Sequence, residues 1–211
     1  MTWANAKIKR IYVGDKQVRP DKMPWYQEVE YIQSTGTQYI QTSIVPSNTK
    51  WIYIKCSSQS IWDAWVYVGS SWWWNTRFWV VNSQNLMSYW WNTIHNSSWT
   101  ISENVVYEHK LNYLNSRNIT LDWQVVDSNL WTLSSTNNKP IYIFAWNNNW
   151  SIYWYSYIKL YSLKISDWSN VVNDFIPCYR ISDNVIWLYD TVNSVFYTNS
   201  WTGTFTKWAD I

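Results

Sequence analysis

Four glutamates, Glu28, Glu30, Glu103 and Glu108, are the residues from which acid–base chemistry would have to be built. A retaining glycoside hydrolase needs two carboxylates flanking the scissile bond about 5 Å apart. None of the four stands in the Glu-x-Asp-x-x-Glu arrangement that sets such groups on one strand face. Glu28 and Glu30 do share a face by the two-residue period of a strand, but a structural or surface role is the expectation for Glu30. No catalytic residue is assigned, and a glucanase-like hydrolase is the least favoured reading. His95 and His109 are 14 positions apart, with no Cys or His at ligand spacing, so zinc is not expected. Calcium would need clustered oxygens; Asp122, Asp127, Asp167 and Asp183 are acidic turn residues that read as turn caps, so a calcium site is left open without ligands and no cofactor is assigned. There is no Ser-His-Asp spacing, phosphate-binding loop or dinucleotide fingerprint. Cys56 and Cys178 read as two buried free thiols, since two cysteines in 211 residues make no disulfide framework.

The aromatic residues are harder to place. The chain has 21 Trp and 4 Gly, where average usage puts glycine near 7%, on the order of 15 residues here. The tryptophans stand where chain geometry wants glycine. Asp122-Trp123, between Asn118-Ile119-Thr120-Leu121 and Gln124-Val125-Val126, fills a two-residue hairpin slot in which Asp-Gly would supply the positive φ of a type I′ turn. Asn149-Trp150, Asp167-Trp168, Trp72-Trp73-Trp74 and Trp90-Trp91-Asn92 repeat the pattern in polar, turn-like surroundings. The expectation is that the gene reads UGA as glycine and that these tryptophans stand for glycines. The competing reading is a Trp-rich protein whose indoles fill a core or stack on sugars.

Binding residues are expected in the stretch from Ser70 to Asn96, read as loops rich in Ser, Asn and recoded glycine. Arg77, Tyr89, Asn92 and His95 would there offer hydrogen bonds and one ring to a sugar. Asn147 and Asn149 in the run Asn147-Asn148-Asn149 invite the same role, although Asn before an expected glycine is also an ordinary turn signal. Loop decoration without a ligand is the alternative at both places. Lys159, Lys164 and Arg180 read as solvated strand charges.

These residues must be positioned by short strands. Residues 1–25 read as a hairpin module and linker: Lys7 to Val13 alternates, Gly14-Asp15 turns, Gln17-Val18-Arg19 returns, and Pro20 and Pro24 end the pattern. Residues 26–211 read as one all-β domain. Its strands are expected at Val29–Ile32, Gln38–Thr42, Trp51–Lys55, Arg77–Val81, Asn104–Leu111, Ile141–Ala145 and Tyr157–Ile165, which suits a sandwich or jelly roll. The last run puts Ile158, Leu160, Ser162 and Lys164 on one face and Tyr157, Lys159, Tyr161, Leu163 and Ile165 on the other, as in a central strand. The net charge of +2 comes from scattered single charges, with no basic stripe for nucleic acid. No segment approaches the ~20 apolar residues of a membrane span. The N-terminus lacks a signal-peptide core, so export by the general secretion route is not expected.

From Glu30 onward the blocks become specific. They are Glu30-Tyr31-Ile32-Gln33-Ser34-Thr35-Gly36-Thr37-Gln38-Tyr39-Ile40, Ile143-Phe144-Ala145, Lys159 to Ile165, Asp174-Phe175-Ile176-Pro177-Cys178-Tyr179-Arg180, Trp187-Leu188-Tyr189-Asp190 and Phe196 to Phe205. In this order they resemble the concanavalin A-like, laminin-G-like jelly-roll domains of structural and tail-associated proteins of bacteriophages and prophages. The leading Lys9-Arg10-Ile11-Tyr12-Val13-Gly14 with Val18-Arg19-Pro20 resembles a short module at the front of phage structural proteins. The family has Gly where this chain has Trp187, Trp201 and Trp208, and often Arg where it has Asn173, which puts an ion pair there in doubt. The resemblance implies a concanavalin A-like jelly-roll β-sandwich in a virion, at a phage tail or particle surface. Its expected partners are host-surface carbohydrate and other virion proteins, with homo-oligomers as in related tail parts. A purely structural decoration domain is the alternative.

Overall fold

A computed structural model describes residues 11–13, 16–18, 25–47, 49–60, 65–72, 76–83, 86–91, 93–112, 118–128 and 138–211. The first strands are β1 (Ile11–Val13), β2 (Lys16–Val18), β3 (Tyr26–Glu28), β4 (Ile32–Gln33), β5 (Ile40–Gln41) and β6 (Lys50–Ser58). There follow β7 (Trp65–Trp72), β8 (Thr76–Ser83), β9 (Leu86–Trp91), β10 (Thr93–Thr100), β11 (Val106–Asn112), β12 (Asn118–Leu121) and β13 (Gln124–Asp127). The remainder are β14 (Tyr142–Ile143), β15 (Trp146–Asn148), β16 (Ser151–Tyr153), β17 (Ile158–Asp167), β18 (Asn170–Arg180), β19 (Ile186–Asp190), β20 (Val195–Tyr197) and β21 (Thr206–Lys207). Among the described residues there is no helix.

The protein is an all-β sandwich. One sheet runs β13-β12-β11-β6-β17-β18-β19-β20, with β4 bridging β17 and β21 and with β3 on β18. The other runs β10-β9-β8-β7-β14-β5, with β15 parallel to β7 and β16 on β15. Strands β1 and β2 pair as a separate antiparallel hairpin, Ile11 opposite Val18. Alternation decides what enters the core. In β6, Ile52, Ile54 and Cys56 point inward while Trp51, Tyr53 and Lys55 stay partly exposed; in β11, His109 and Leu111 point inward and Glu108 and Lys110 outward. Ile52, Ile54, Cys56 and Leu111 meet Ile40, Val68 and Ile143 of the facing sheet in one buried cluster. A smaller cluster of Tyr26, Ile176, Cys178, Trp187 and Tyr189 lies apart from it. Cys56 and Cys178 are buried and unbridged.

Three strand expectations are corrected. First, β17 is central, between β6 and β18, but its alternation does not run unbroken: a bulge between Leu160 and Ser162 shifts the register. Ile158 and Leu160 before it, and Leu163 and Ile165 after it, therefore all face the core, because a bulge inserts one residue and changes the phase. Second, the Ile141–Ala145 run is not one strand. Phe144 adopts φ 69° and the chain turns back along β7, so β14 is antiparallel and β15 parallel to it. Third, Ser70–Asn96 is not loops around the expected Arg77–Val81 strand, which lies in β8: β7, β8, β9 and β10 form an antiparallel meander through it.

Candidate functional site

The residues expected to bind are spread over the second sheet. Arg77 lies in β8 opposite Ser71 of β7, and Ser71 pairs on its other side with Asn148. Tyr89 of β9 and His95 of β10 are cross-strand partners, but Tyr89 pairs with Val80 of β8, three residues from Arg77. Backbone register thus unites Tyr89 with His95, and Arg77 with the Asn147–Asn149 region, as two separate groups. Asn92 lies outside the described residues. Asn147 is fully buried; its Nδ2 donates to the Pro140 carbonyl at 2.7 Å and its Oδ1 accepts from the Trp150 amide at 2.8 Å. Its side chain therefore shapes a turn. Asn149 is the first central residue of that turn, at φ 51°.

The acidic turn residues have local partners. Asp122 Oδ1 accepts the Glu108 amide at 2.8 Å, Asp167 takes Lys50 Nζ at 2.9 Å, and Asp183 receives Arg180 Nε at 2.8 Å. Hydrogen bonds from Thr49 and then Lys50 hold the Asp167 carboxyl below the usual carboxylate range. The side chain of Asp127 is outside the described residues. Among the described residues, no three His, Cys, Asp or Glu side chains converge on a metal position.

A more coherent set lies on the solvent face of the larger sheet. There Glu30, Lys55, Val106, Glu108, Asp122, Trp123, Tyr161 and Ile211 line an open groove of about 730 Å³, within the size range of small-ligand sites. Strand register builds it. Lys55 and Glu108 are direct cross-strand partners, and their side chains form an ion pair at 3.3 Å. The reciprocal bonds Asp122 N to Glu108 O at 2.9 Å and Glu108 N to Asp122 Oδ1 fold the β12–β13 hairpin turn over β11. Tyr161 enters from β17 and packs on Tyr31 at 5.2 Å between centroids; Lys159 Nζ sits 5.1 Å from the Tyr31 ring and Trp208 stacks on it at 6.1 Å. Burial first, then the Glu108 carboxylate, raises the Tyr53 pKa above the usual phenol value, and burial does the same for Tyr161. Both hydroxyls are therefore protonated at neutral pH and able to donate. The groove offers carboxylate acceptors, an ammonium donor, the Tyr161 hydroxyl and a ring face, the mixture that recognises a polyhydroxylated ligand.

A second depression of about 390 Å³ is bordered by Asp183, Asn199, Trp201 and Gly203. Two of its polar side chains are committed locally: Asp183 to Arg180, and Asn199 Nδ2 to the carbonyls of Trp201, Thr202 and Gly203. The sequence placed Glu108 in the expected Asn104–Leu111 strand. What it did not reveal is that Lys55, 53 positions earlier, stands opposite Glu108, because cross-strand register over that separation leaves no local signal.

No family model matches the chain, and no curated protein matches it. Among solved structures it is similar to a candidate carbohydrate-binding protein of Bacteroides ovatus ATCC 8483, crystallised at 1.50 Å resolution. The likeness has a TM-score of 0.61 at 9% identity and covers 88% of this chain. This chain spans 62% of the length of that structure. At such identity the likeness concerns the fold, a β-sandwich.

Proposed function

We propose that this protein is a non-enzymatic binding module of a phage or prophage particle, tail-associated, that attaches to host-surface carbohydrate through the groove on its larger sheet. The observation that carries the reading is the groove itself: the Lys55–Glu108 pair, Glu30 and Tyr161 converge on one open surface. A hydrogen-bonding, ring-bearing cleft of this size suits a saccharide. The particle and tail assignment rests on the ordered blocks from Glu30 to Phe205 and the Lys9–Pro20 segment. Fold likeness to a candidate carbohydrate-binding protein is in keeping with the ligand class but carries it only by association.

Binding without turnover is favoured by how the acids are held. Glu108 is tied to Lys55 and Asp122 to the backbone, which leaves Glu30 without the opposed partner that glycoside hydrolysis requires. A glycan array with the purified chain, alongside adsorption to host cells, tests the proposal: saccharide binding lost in Glu108→Gln supports it. Affinity for particle proteins with no saccharide signal would favour the decoration-domain reading. Reducing-sugar release that is lost in Glu30→Gln would overturn the non-enzymatic assignment.

A further inference from the structure

Ten described residues other than glycine have φ between 44° and 73°, and four of them are tryptophan: Trp123 at 69°, Trp150 at 73°, Trp154 at 47° and Trp168 at 53°. Left-handed backbone is the province of glycine, with Asn and Asp the usual substitutes. Asn104, Asp122, Asn149 and Asn184 meet that rule; a bulky indole does not. Three of the four tryptophans also occupy tight hairpin turns. Asp122-Trp123 joins β12 to β13 with both central residues at positive φ, 44° and 69°. Asn149-Trp150 joins β15 to β16 in the same way, at 51° and 73°. These are type I′ turns, whose favoured sequences are Asp-Gly and Asn-Gly. Trp168-Ser169 joins β17 to β18 with positive φ at the first position alone, the slot that a type II′ turn reserves for glycine.

The contacts around these indoles are surface ones: Lys139 Nζ lies 4.6 Å from the Trp150 ring and Trp154 packs on Trp146 at 5.1 Å. Phe144 also sits at φ 69°, but its ring is fully buried against Phe205 and its backbone is held by bonds to Tyr67 and Ser156. The four tryptophans are instead 78, 57, 46 and 61% exposed at positions 123, 150, 154 and 168. Trp201 and Trp208 are similarly exposed, and the buried Trp187 has an indole nitrogen without a hydrogen-bond partner. Among the tryptophans whose exposure is described, Trp146 and Trp187 are buried, whereas Trp25, Trp123, Trp150, Trp154, Trp168, Trp201 and Trp208 are exposed, although this side chain usually contributes most to a core.

We infer that the natural polypeptide carries glycine at positions 123, 150, 154 and 168, the gene's UGA codons being decoded as glycine. The genuine glycines Gly36 and Gly203, at φ 91° and 74°, show the conformation for which the residue is used in this fold. One consequence falls on the groove: its Trp123 wall becomes bare backbone, so ligand contact passes to Tyr161, Lys55, Glu108 and Glu30.

The test is a tryptic peptide mass spectrum of the protein isolated from its native source, over residues 165–180, in which Trp168 is the sole tryptophan. The codons at positions 123, 150, 154 and 168 are read alongside. A peptide lighter by the difference between tryptophan and glycine, with UGA at those codons, is the expected result. A tryptophan mass, or UGG codons at the four positions, overturns the inference.

Discussion

Asn173 and Asn193 each place an amide nitrogen 2.6 Å from the same oxygen, Oδ2 of the fully buried Asp190. The other oxygen collects backbone amides from Asp174 at 3.1 Å, Val192 at 3.0 Å and Asn193 at 3.4 Å. A buried carboxylate is tolerated when hydrogen bonds satisfy its lone pairs, and here neutral amides and backbone do so without an arginine. Through it, the turn following β19 is fastened to β18.

Asp190→Ala would leave those donors facing an apolar methyl group, at a cost of about 3 kcal/mol. Asn193→Ala removes one donor and should cost about 1 kcal/mol. Urea unfolding with an unchanged slope measures both. An Asp190→Ala midpoint equal to that of the parent would show that the network does not stabilise the fold.

His109 should make the sandwich acid-sensitive. Burial lowers its imidazole pKa to about 3, against about 6.5 when unfolded. Between these values the unfolded chain holds a proton that the folded chain lacks, so stability rises with pH there. The contribution is therefore complete above about pH 6.5 and lost as pH falls toward 3, by about 1.4 kcal/mol per unit. Denaturation between pH 6.5 and 5, where exposed carboxylates are still ionised, should show this slope, and His109→Gln should flatten it.

Saccharide affinity should depend on the groove and not on charge elsewhere on the same sheet. Glu108→Gln or Tyr161→Ala is expected to weaken binding by about 10- to 100-fold, the value of one or two polar contacts. Lys164→Ala, which breaks the pair of a partly exposed lysine with the buried Asp174 at 3.3 Å, should leave affinity unchanged. Calorimetric titration with a saccharide found on the array separates the two classes; equal losses in all three variants would remove the groove from the account.

In the Trp-bearing chain, Trp123→Gly and Trp168→Gly should stabilise, each by about 1 kcal/mol, through relief of left-handed strain. Val125→Gly is the control, since Val125 is also exposed but lies in a strand, and it should cost up to about 1 kcal/mol. Thermal unfolding of the three variants reads the signs. Destabilisation by both tryptophan replacements would mean that the indoles contribute contacts worth more than the strain.

Cys56 and Cys178 should be inert in the folded protein. Burial raises both thiol pKa values, that of Cys178 to about 12 with Glu28 adding to the effect. A thiol reagent at neutral pH should label neither until denaturant is added.

The legible parts of this fold were those written in local chemistry. The Asp122-Trp123 slot predicted a hairpin whose flanking strands are β12 and β13, and the alternation of Tyr157–Ile165 predicted the central place of β17. The bulge after Leu160 was not visible, because Tyr161 and Ser162 carry no turn signal. Within Ser70–Asn96 the strand at Arg77–Val81 was legible, and β8 contains it; the rest was read as loops because Ser, Asn and Trp in turn-like surroundings imitate loop composition, while the pairing that makes β7, β9 and β10 strands comes from neighbours in the sheet. The groove eluded the sequence for the same reason: Glu30, Lys55, Glu108 and Tyr161 are assembled by register between distant strands. Asn147, singled out as a ligand residue, has the turn-capping chemistry that the same motif also announced.

The pairing of β3 with β18 and of β4 with β17 and β21, together with the Val29–Asp210 bridge, dictates an order of events at the ribosome. The first strands of the sandwich have no partner until residues 158–180 are made, and the bridge must wait for Asp210. Folding of such a high-contact-order sheet is slow, and during synthesis Tyr26, Val29 and Ile32 travel as unpaired apolar edges. The sandwich closes only after nearly all of these strands have been made, so its early strands stay open to wrong pairing throughout synthesis.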